Sequence, residues 1–356
     1  MPEIISAEAR PLAQPAQAAR PLHLIANRAS GSGEGPRLEE LAAERCRELG
    51  RELVVHVPDS PSGLAQAAER ARRAAQADGG VVIAAGGDGT VRTVAQVLAG
   101  SEVPMAVVPI GTFNFFARNY RIPEDMEGAL EVALHGQPQA VNLGQVNGHV
   151  FLVNASFGLY AKAIAERERS TSRFGRNRAV VIASTVISML RGHPVMDVEL
   201  EIAGVSQRVR TPMVFVGNNA LQLKDVSLDV ARCMGDGQLA VVVLRPVSWW
   251  GMLKLTLNGL LRMLSQEQSL ESFCAHRLLI RRRRGRVRVA LDGELLRLET
   301  PLEFRSWDDA LSLMSPPLAE ARRTEEELTA AAPGADAAPT GGVAPGSVAM
   351  KEDVAG

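Results

Sequence analysis

Gly86-Gly87-Asp88-Gly89-Thr90 combines residue types that can hold a phosphate. The stretch follows the apolar run Val81-Val82-Ile83-Ala84-Ala85 and precedes a helix-like segment from Val91 to Ala99. A buried strand therefore runs through a glycine turn into a helix N-terminus. Such a turn leaves several backbone N–H groups unpaired and aims them at one spot, at the positive end of the helix dipole. Glycine lets the backbone approach a ligand closely, Thr90 can cap the helix or touch a phosphate, and Asp88 sets a carboxylate beside them. Amides that hold a phosphate next to an acid suggest phosphoryl transfer; a plain strand–turn–helix corner with a capping Asp is the competing reading.

Pro109-Ile110-Gly111-Thr112-Phe113-Asn114 repeats the arrangement. Gly111 allows a tight turn, while Thr112 and Asn114 offer a hydroxyl and an amide at the start of a helix over 114–119. Two such corners on adjacent strands would share an anion-binding cleft, which Arg118, one turn further, could reach. Leu291-Asp292-Gly293-Glu294 ends a third apolar run; alone it is a hairpin turn.

Positioning these corners requires a sheet. Leu22–Ala26, Leu53–Val57, Val81–Ala85 and Met105–Val108 read as strands alternating with helical stretches over 38–49, 63–77 and 91–99. That rhythm predicts an α/β, doubly wound parallel-sheet domain with ligands at the carboxyl ends of its strands. After about residue 137 the pattern changes. Strands over 141–146 and 149–153 flank Asn147-Gly148, a hairpin signal, and further runs at 195–202, 207–216, 238–244, 277–282 and 287–291 predict a β-rich antiparallel second domain. Helices are expected near 159–169, 175–191 and 247–264, an extended piece at 300–305 and a short apolar piece at 310–314. The expected organisation is a flexible N-terminus (1–20), an α/β domain (21–136, with 303–316 returning to it), a β-rich domain (137–302) and a disordered tail (321–356).

Composition narrows the class. A net charge of −1 argues against a nucleic-acid partner, and 4% aromatic content implies cores of Val, Leu and Ala. Cys46, Cys233 and Cys274 lack metal-ligand spacing and fit reduced, buried thiols of a cytoplasmic protein. No run of about 18 apolar residues is present to span a bilayer, and the N-terminus lacks the apolar core of a signal peptide. There is no GxxxxGK[ST] loop, HExxH or GxSxG.

Taken together, Asn27 with Ser30-Gly31, Gly86 to Thr90, Pro109 to Asn114 with Phe116-Ala117-Arg118, Asp236-Gly237 with Leu239, and Asp292-Gly293-Glu294 followed by Leu298 to Phe304 resemble the diacylglycerol-kinase catalytic family. That family includes soluble bacterial lipid kinases and sphingosine kinases, and NAD kinases are more distant relatives. The resemblance spans roughly residues 22 to 316 and implies ATP and Mg²⁺ as cofactors. Asn27, Ser30, Gly31, Gly86, Gly87, Asp88, Gly89, Thr90, Gly111, Thr112 and Asn114 would hold the nucleotide. The β-rich domain would hold a lipid acceptor, most simply a diacylglycerol-like one. Glu294, with Asp292 beside it, matches the family's base, and Asp88 is its rival for that role. Asp88 and Asp236 are the implied metal ligands. Phe115 stands where many bacterial members carry an Asp of a metal-linked network, and Phe cannot ligate a hard cation. Either Asp88 and Asp236 suffice with waters, or that secondary metal site is absent. Arg28 replaces a usual Pro.

A lipid kinase without a spanning segment would work from the cytoplasmic face, peripheral at the inner membrane. Two stretches suit contact with an anionic surface. The apolar segment Trp249 to Leu264 reads either as an interfacial helix or as a helix packed on the β domain, and Arg281 to Arg288 either as a lipid-facing run or as a solvated hairpin. A homodimer is compatible with all of this. The readings that compete with a lipid kinase are an NAD-kinase-like metabolite kinase and a non-catalytic lipid-binding relative.

Overall fold

The first sheet is made from runs that are apolar on both faces. Leu22–Ala26 (β1), Val81–Gly86 (β3) and Met105–Pro109 (β4) are buried along their whole length, as strands covered by helices on both sides must be. With Leu53–His56 (β2) at the edge they run parallel in the order β2-β1-β3-β4. These coordinates come from a computed structural model that describes residues 20–26, 34–159, 161–162, 164, 195–219, 233, 236–248, 250–251, 269–282 and 285–316. The expected N-terminal segment 1–19, the tail beyond 316 and most of the three expected helices near 159–169, 175–191 and 247–264 lie outside the described residues.

Glu34–Glu48 (α1), Leu64–Asp78 (α2) and Asp88–Leu98 (α3) connect the strands, followed by Phe115–Asn119 (α4) and Met126–His135 (α5). Right-handed crossovers place α1 on one face and α2 with α3 on the other, because the chain runs from β1 out to the edge strand β2 and then turns back past β1 to β3 and β4. Accordingly α2 packs on α3, and α1 on α5. The buried stripe of α2 is Ala67, Ala68, Ala71 and Ala75, small residues that bring the helix close to the sheet. The reversal leaves a crevice beyond the carboxyl ends of β1 and β3. There Ala26 lies opposite Ala85, and Gly86 opposite Pro109.

The remaining strands are Gln137–Val146 (β5), His149–Phe151 (β6), Asn154–Gly158 (β7), Met196–Ile202 (β8), Val205–Thr211 (β9), Met213–Gly217 (β10), Leu239–Leu244 (β11), Leu270–Ala275 (β12), Arg277–Arg281 (β13), Arg286–Leu291 (β14), Glu294–Glu299 (β15) and Leu302–Ser315 (β16). β16 joins the two halves. Its end lies parallel to β4 (Leu313 opposite Met105), its start pairs with β13, and β5 runs antiparallel beside it. The β5–β16 register shifts between Trp307 and Leu311, where Asp309 has φ 49° and its N–H donates to Asn142 Oδ1 at 2.9 Å. A bulge of this kind bends a ribbon, and this one lets a single strand serve two cores. One core lies between the parallel strands and their helices. The other draws on β7, β8, β10, β11, β13, β14 and β16, with the Phe151 and Phe304 rings edge-on at 6.5 Å. A separate antiparallel sheet, β12-β11-β10-β7-β14-β15, carries Glu294.

Five local expectations change. Helix α5 was not anticipated; Asp125 caps it by accepting the Gly128 N–H at 2.7 Å. Strand β12 was also unanticipated. The expected strand 207–216 is two strands, since Pro212 between β9 and β10 has no N–H with which to continue a ladder. The apolar piece at 310–314 belongs to the unbroken β16. The three reduced thiols give way to a Cys233–Cys274 disulfide, with Cα atoms 5.4 Å apart, which ties the segment before β11 to β12; Cys46 alone is free and is buried. Residues 41 positions apart are brought together by the β11–β12 ladder, which no local spacing announces. The cysteines therefore no longer argue for a reducing compartment.

Candidate active site

The glycine corner is an uncapped helix start. Gly87, the N-cap of α3, is extended and offers no side chain, and the first backbone bond of the helix runs from the Val91 N–H to the Gly87 carbonyl at 3.0 Å. The N–H groups of Asp88, Gly89 and Thr90 are thus left without intrahelical acceptors. A methyl group on Gly111 would stand 2.7 Å from Gly87 Cα, and one on Gly86 would stand 2.6 Å from the Thr90 side chain. The two expected corners are therefore in backbone contact. Thr90 is buried against Gly86, which makes it a packing residue of the turn.

Asp88 bridges the corners. The backbone N–H groups of Phe116, Phe115 and Asn114 at the start of α4 face its carboxylate. Burial raises its pKa, and these three donors oppose the rise. Asn114 has φ 48°; its Oδ1 accepts the Gly111 N–H and its Nδ2 donates to the Gly111 carbonyl, both at 3.0 Å. Asn114 is thus the brace of the second turn. Thr112 and Phe113 are exposed, and Phe113 stacks flat on Phe115 with centroids 5.7 Å apart. Arg118 pairs with Glu124 Oε1 at 3.5 Å, and the other oxygen of Glu124 accepts from Asn114 Nδ2 at 3.4 Å.

The second sheet delivers a carboxylate to this corner. Asp292 (φ 48°) and Gly293 (φ 89°) form the two-residue turn between β14 and β15, the backbone that Asp-Gly favours. The Asp292 carboxylate accepts the N–H groups of Leu152 (2.7 Å), Val153 (2.8 Å) and Asn154 (2.9 Å), and its own N–H donates to the Asn154 carbonyl. Burial pushes its pKa up to about 6 despite those donors. Both of its oxygens are engaged, so Asp292 fixes the turn to the β6–β7 corner. Glu294 is free of such duty and is half exposed. Its Oε1 lies 2.6 Å from where a Cβ on Gly89 would be, and its Oε2 accepts a hydrogen bond from Arg92. Arg92 and Gln96 were absent from the sequence-based site. They follow Asp88 at steps of four on α3, so one face of that helix meets Glu294 of the second sheet through Arg92 and the β5–β6 hairpin of the first through Gln96, which accepts the Val150 N–H at 2.7 Å and donates to the Gly148 carbonyl at 3.2 Å.

Some expected site residues are not brought here. Asn27, Ser30 and Gly31 lie outside the described residues. Asp236 is exposed at the entry to β11, and the side chains nearest the adjacent Gly237 are Asn142, Asp308 and His276, none of them in the glycine corner. Among the described residues no group of three or more Asp, Glu, His or Cys is arranged around a metal. Asp88 is the carboxylate at the glycine corner, an oxygen donor of the kind that suits Mg²⁺ carried in on phosphates. Of the arginine run, Arg281 pairs with Glu199 and Glu201, and Arg286 with Glu299 across the β14–β15 ladder. Trp250 is 73% exposed. No helix among the described residues is long and apolar enough to cross a membrane.

Residues 21–146 match the family model for the diacylglycerol kinase catalytic domain. A protein named "Probable lipid kinase YegS-like" from Pseudomonas aeruginosa is 41% identical over 122 residues, which cover 33% of this chain and 39% of that one. A "Probable lipid kinase YegS" from Escherichia coli is 35% identical over 122 residues, covering 33% and 40%. The match thus spans about two fifths of the length of these curated relatives. A crystal structure of a diacylglycerol kinase from Bacillus anthracis superposes with a TM-score of 0.64 at 18% identity, covering 84% of this chain and 98% of that one. That likeness shows a shared fold through both sheets.

Proposed function

From the match of residues 21–146 to the diacylglycerol kinase catalytic-domain model, we propose that the chain is an ATP-dependent lipid kinase. The observation that carries the proposal is the meeting of Glu294, from the second sheet, with Gly89 in the uncapped corner of the first. A phosphate donor site and a proton acceptor then face one another. ATP with Mg²⁺ would supply the γ-phosphoryl group and neutralise its oxygens. The N–H groups of Asp88, Gly89 and Thr90 would hold phosphate oxygens, and Asp88 would meet the ion. Glu294 would take the proton of the acceptor hydroxyl as that oxygen bonds to phosphorus; the bond to the departing ADP oxygen breaks and ADP keeps its electron pair. Work at a membrane surface would draw on Trp250 and on Arg282 and Arg288, which form no ion pair among the described residues.

The proposal is tested by incubating the intact protein with labelled Mg-ATP, a fractionated lipid extract and NAD, then identifying the labelled product by mass. A phosphorylated lipid is expected. Label on NAD would make the chain a metabolite kinase. ATP binding without label on either would favour a non-catalytic lipid-binding protein.

A second expectation concerns the corner itself. Gly111→Ala would press a methyl group into Gly87 Cα and force the loops apart. Overpacking of this kind costs ~1–3 kcal/mol, so Mg-ATP affinity measured by calorimetry should fall about tenfold or more. Unchanged affinity would mean that the two loops do not bind the nucleotide together.

A further inference from the structure

Glu294 opens β15 with its side chain 50% exposed, yet its carboxylate is tied to one group. That group is Arg92, 8% exposed, placed one helical turn after Asp88 on α3. Its Nη2 donates to Glu294 Oε2, while its Nε is buried without a hydrogen-bond partner among the described residues. A guanidinium buried to this degree cannot follow a wandering carboxylate, so the carboxylate must come to it. A buried N–H left unpaired is costly, and the structure keeps that cost in place. One turn further along, Gln96 holds the β5–β6 hairpin, and the residues that follow that hairpin, 152–154, anchor the Asp292 turn of the second sheet.

We propose that Arg92 is the positioning residue of the proposed base: it selects, among the rotamers of Glu294, the one that lays the carboxylate over Gly89. This rests on the kinase reading above, with Glu294 as proton acceptor. Arg92 makes no bond to substrate in this role; it acts only through Glu294. The chemical advantage is alignment, since displacing a reacting group by about 1 Å can cost about 10²-fold in rate.

The test uses the full chain as Arg92→Gln, Arg92→Lys, Glu294→Gln and the double variant Arg92→Gln/Glu294→Gln, assayed with Mg-ATP and the lipid that the wild type phosphorylates. Arg92→Gln is expected to lower kcat by roughly 10- to 100-fold with the KM for ATP within about twofold. Arg92→Lys should recover part of the loss. In the Glu294→Gln background Arg92→Gln should change little, because the two residues act as one unit. An equal loss in that background, or a rise in KM for ATP at constant kcat, would overturn the proposal and put Arg92 on the nucleotide. The same four proteins carry a readout that needs no activity. In denaturant unfolding the effects of Arg92→Gln and Glu294→Gln should be less than additive, and strict additivity would also overturn the pairing. If the wild type phosphorylates no lipid, the kinase reading fails, and the unfolding series still decides whether Arg92 holds Glu294.

Discussion

Glu294→Gln should abolish most turnover while leaving the nucleotide site intact. The substitution keeps the shape of the side chain and one oxygen for Arg92, and removes only the capacity to take a proton. General bases contribute about 10²–10⁴-fold, so kcat for lipid phosphorylation should fall by that factor while Mg-ATP affinity measured by calorimetry stays put. Asp88 is the alternative proton acceptor, and its surroundings speak against it. Its carboxylate faces three backbone N–H groups at the start of α4, and donors aimed at a carboxylate oppose its taking a proton. Asp88 is better placed to lock the two glycine loops together and to meet the ion. Should Glu294→Gln keep wild-type kcat while Asp88→Asn loses it at unchanged ATP affinity, the roles are reversed.

The parts of this site that were legible in the sequence are those encoded over a few residues. A glycine corner between an apolar run and a helix, and an Asp-Gly turn between two strands, are local choices, and the backbone adopts them as expected: Asp292 and Gly293 both have positive φ, as do Asn147 and Gly148. The partners of those corners were not legible. Arg92 lies in α3 only four residues past Asp88, but the group it holds is 202 residues away. Its importance comes from the β14–β15 turn meeting α3, and no window along the chain contains both. The Cys233–Cys274 pair was hidden for the same reason. Asp292 shows a subtler limit. Its place in the motif pointed to chemistry, whereas its carboxylate is occupied by the backbone of 152–154. The motif marks the turn that aims Glu294, and the sequence alone could not divide the proposed base from the scaffolding part. Phe115 is the converse case. It was read as a lost carboxylate, and in the structure it stacks on Phe113 while its N–H faces the Asp88 carboxylate.

That scaffolding role of Asp292 predicts the largest loss of stability among these residues. Asp292→Ala would leave the N–H groups of Leu152, Val153 and Asn154 without an acceptor. At about 1–3 kcal/mol for each buried donor left unpaired, the loss should reach several kcal/mol, a large share of the stability of an ordinary domain. Denaturant unfolding should show a much lower midpoint, with lipid-kinase activity falling alongside because Glu294 loses its anchor. Asp292→Asn separates charge from shape, since Oδ1 can still accept from Val153 and Asn154 while an amide faces the Leu152 N–H. Its pH dependence has a definite sign. Burial raises the Asp292 pKa from 3.8 to about 6 in the folded chain, so the folded state binds this proton more tightly than the unfolded one. The stabilisation linked to that proton is complete below about pH 4 and is lost as pH rises through about 6. The wild type should therefore lose part of its advantage over Asp292→Asn between pH 4 and pH 7, each pKa unit being about 1.4 kcal/mol. A gap that widens over this range would show that the three N–H donors, rather than burial, govern the carboxyl. In that case Asp292 would stay ionised at every working pH, and the turn that aims Glu294 would be held by a charge.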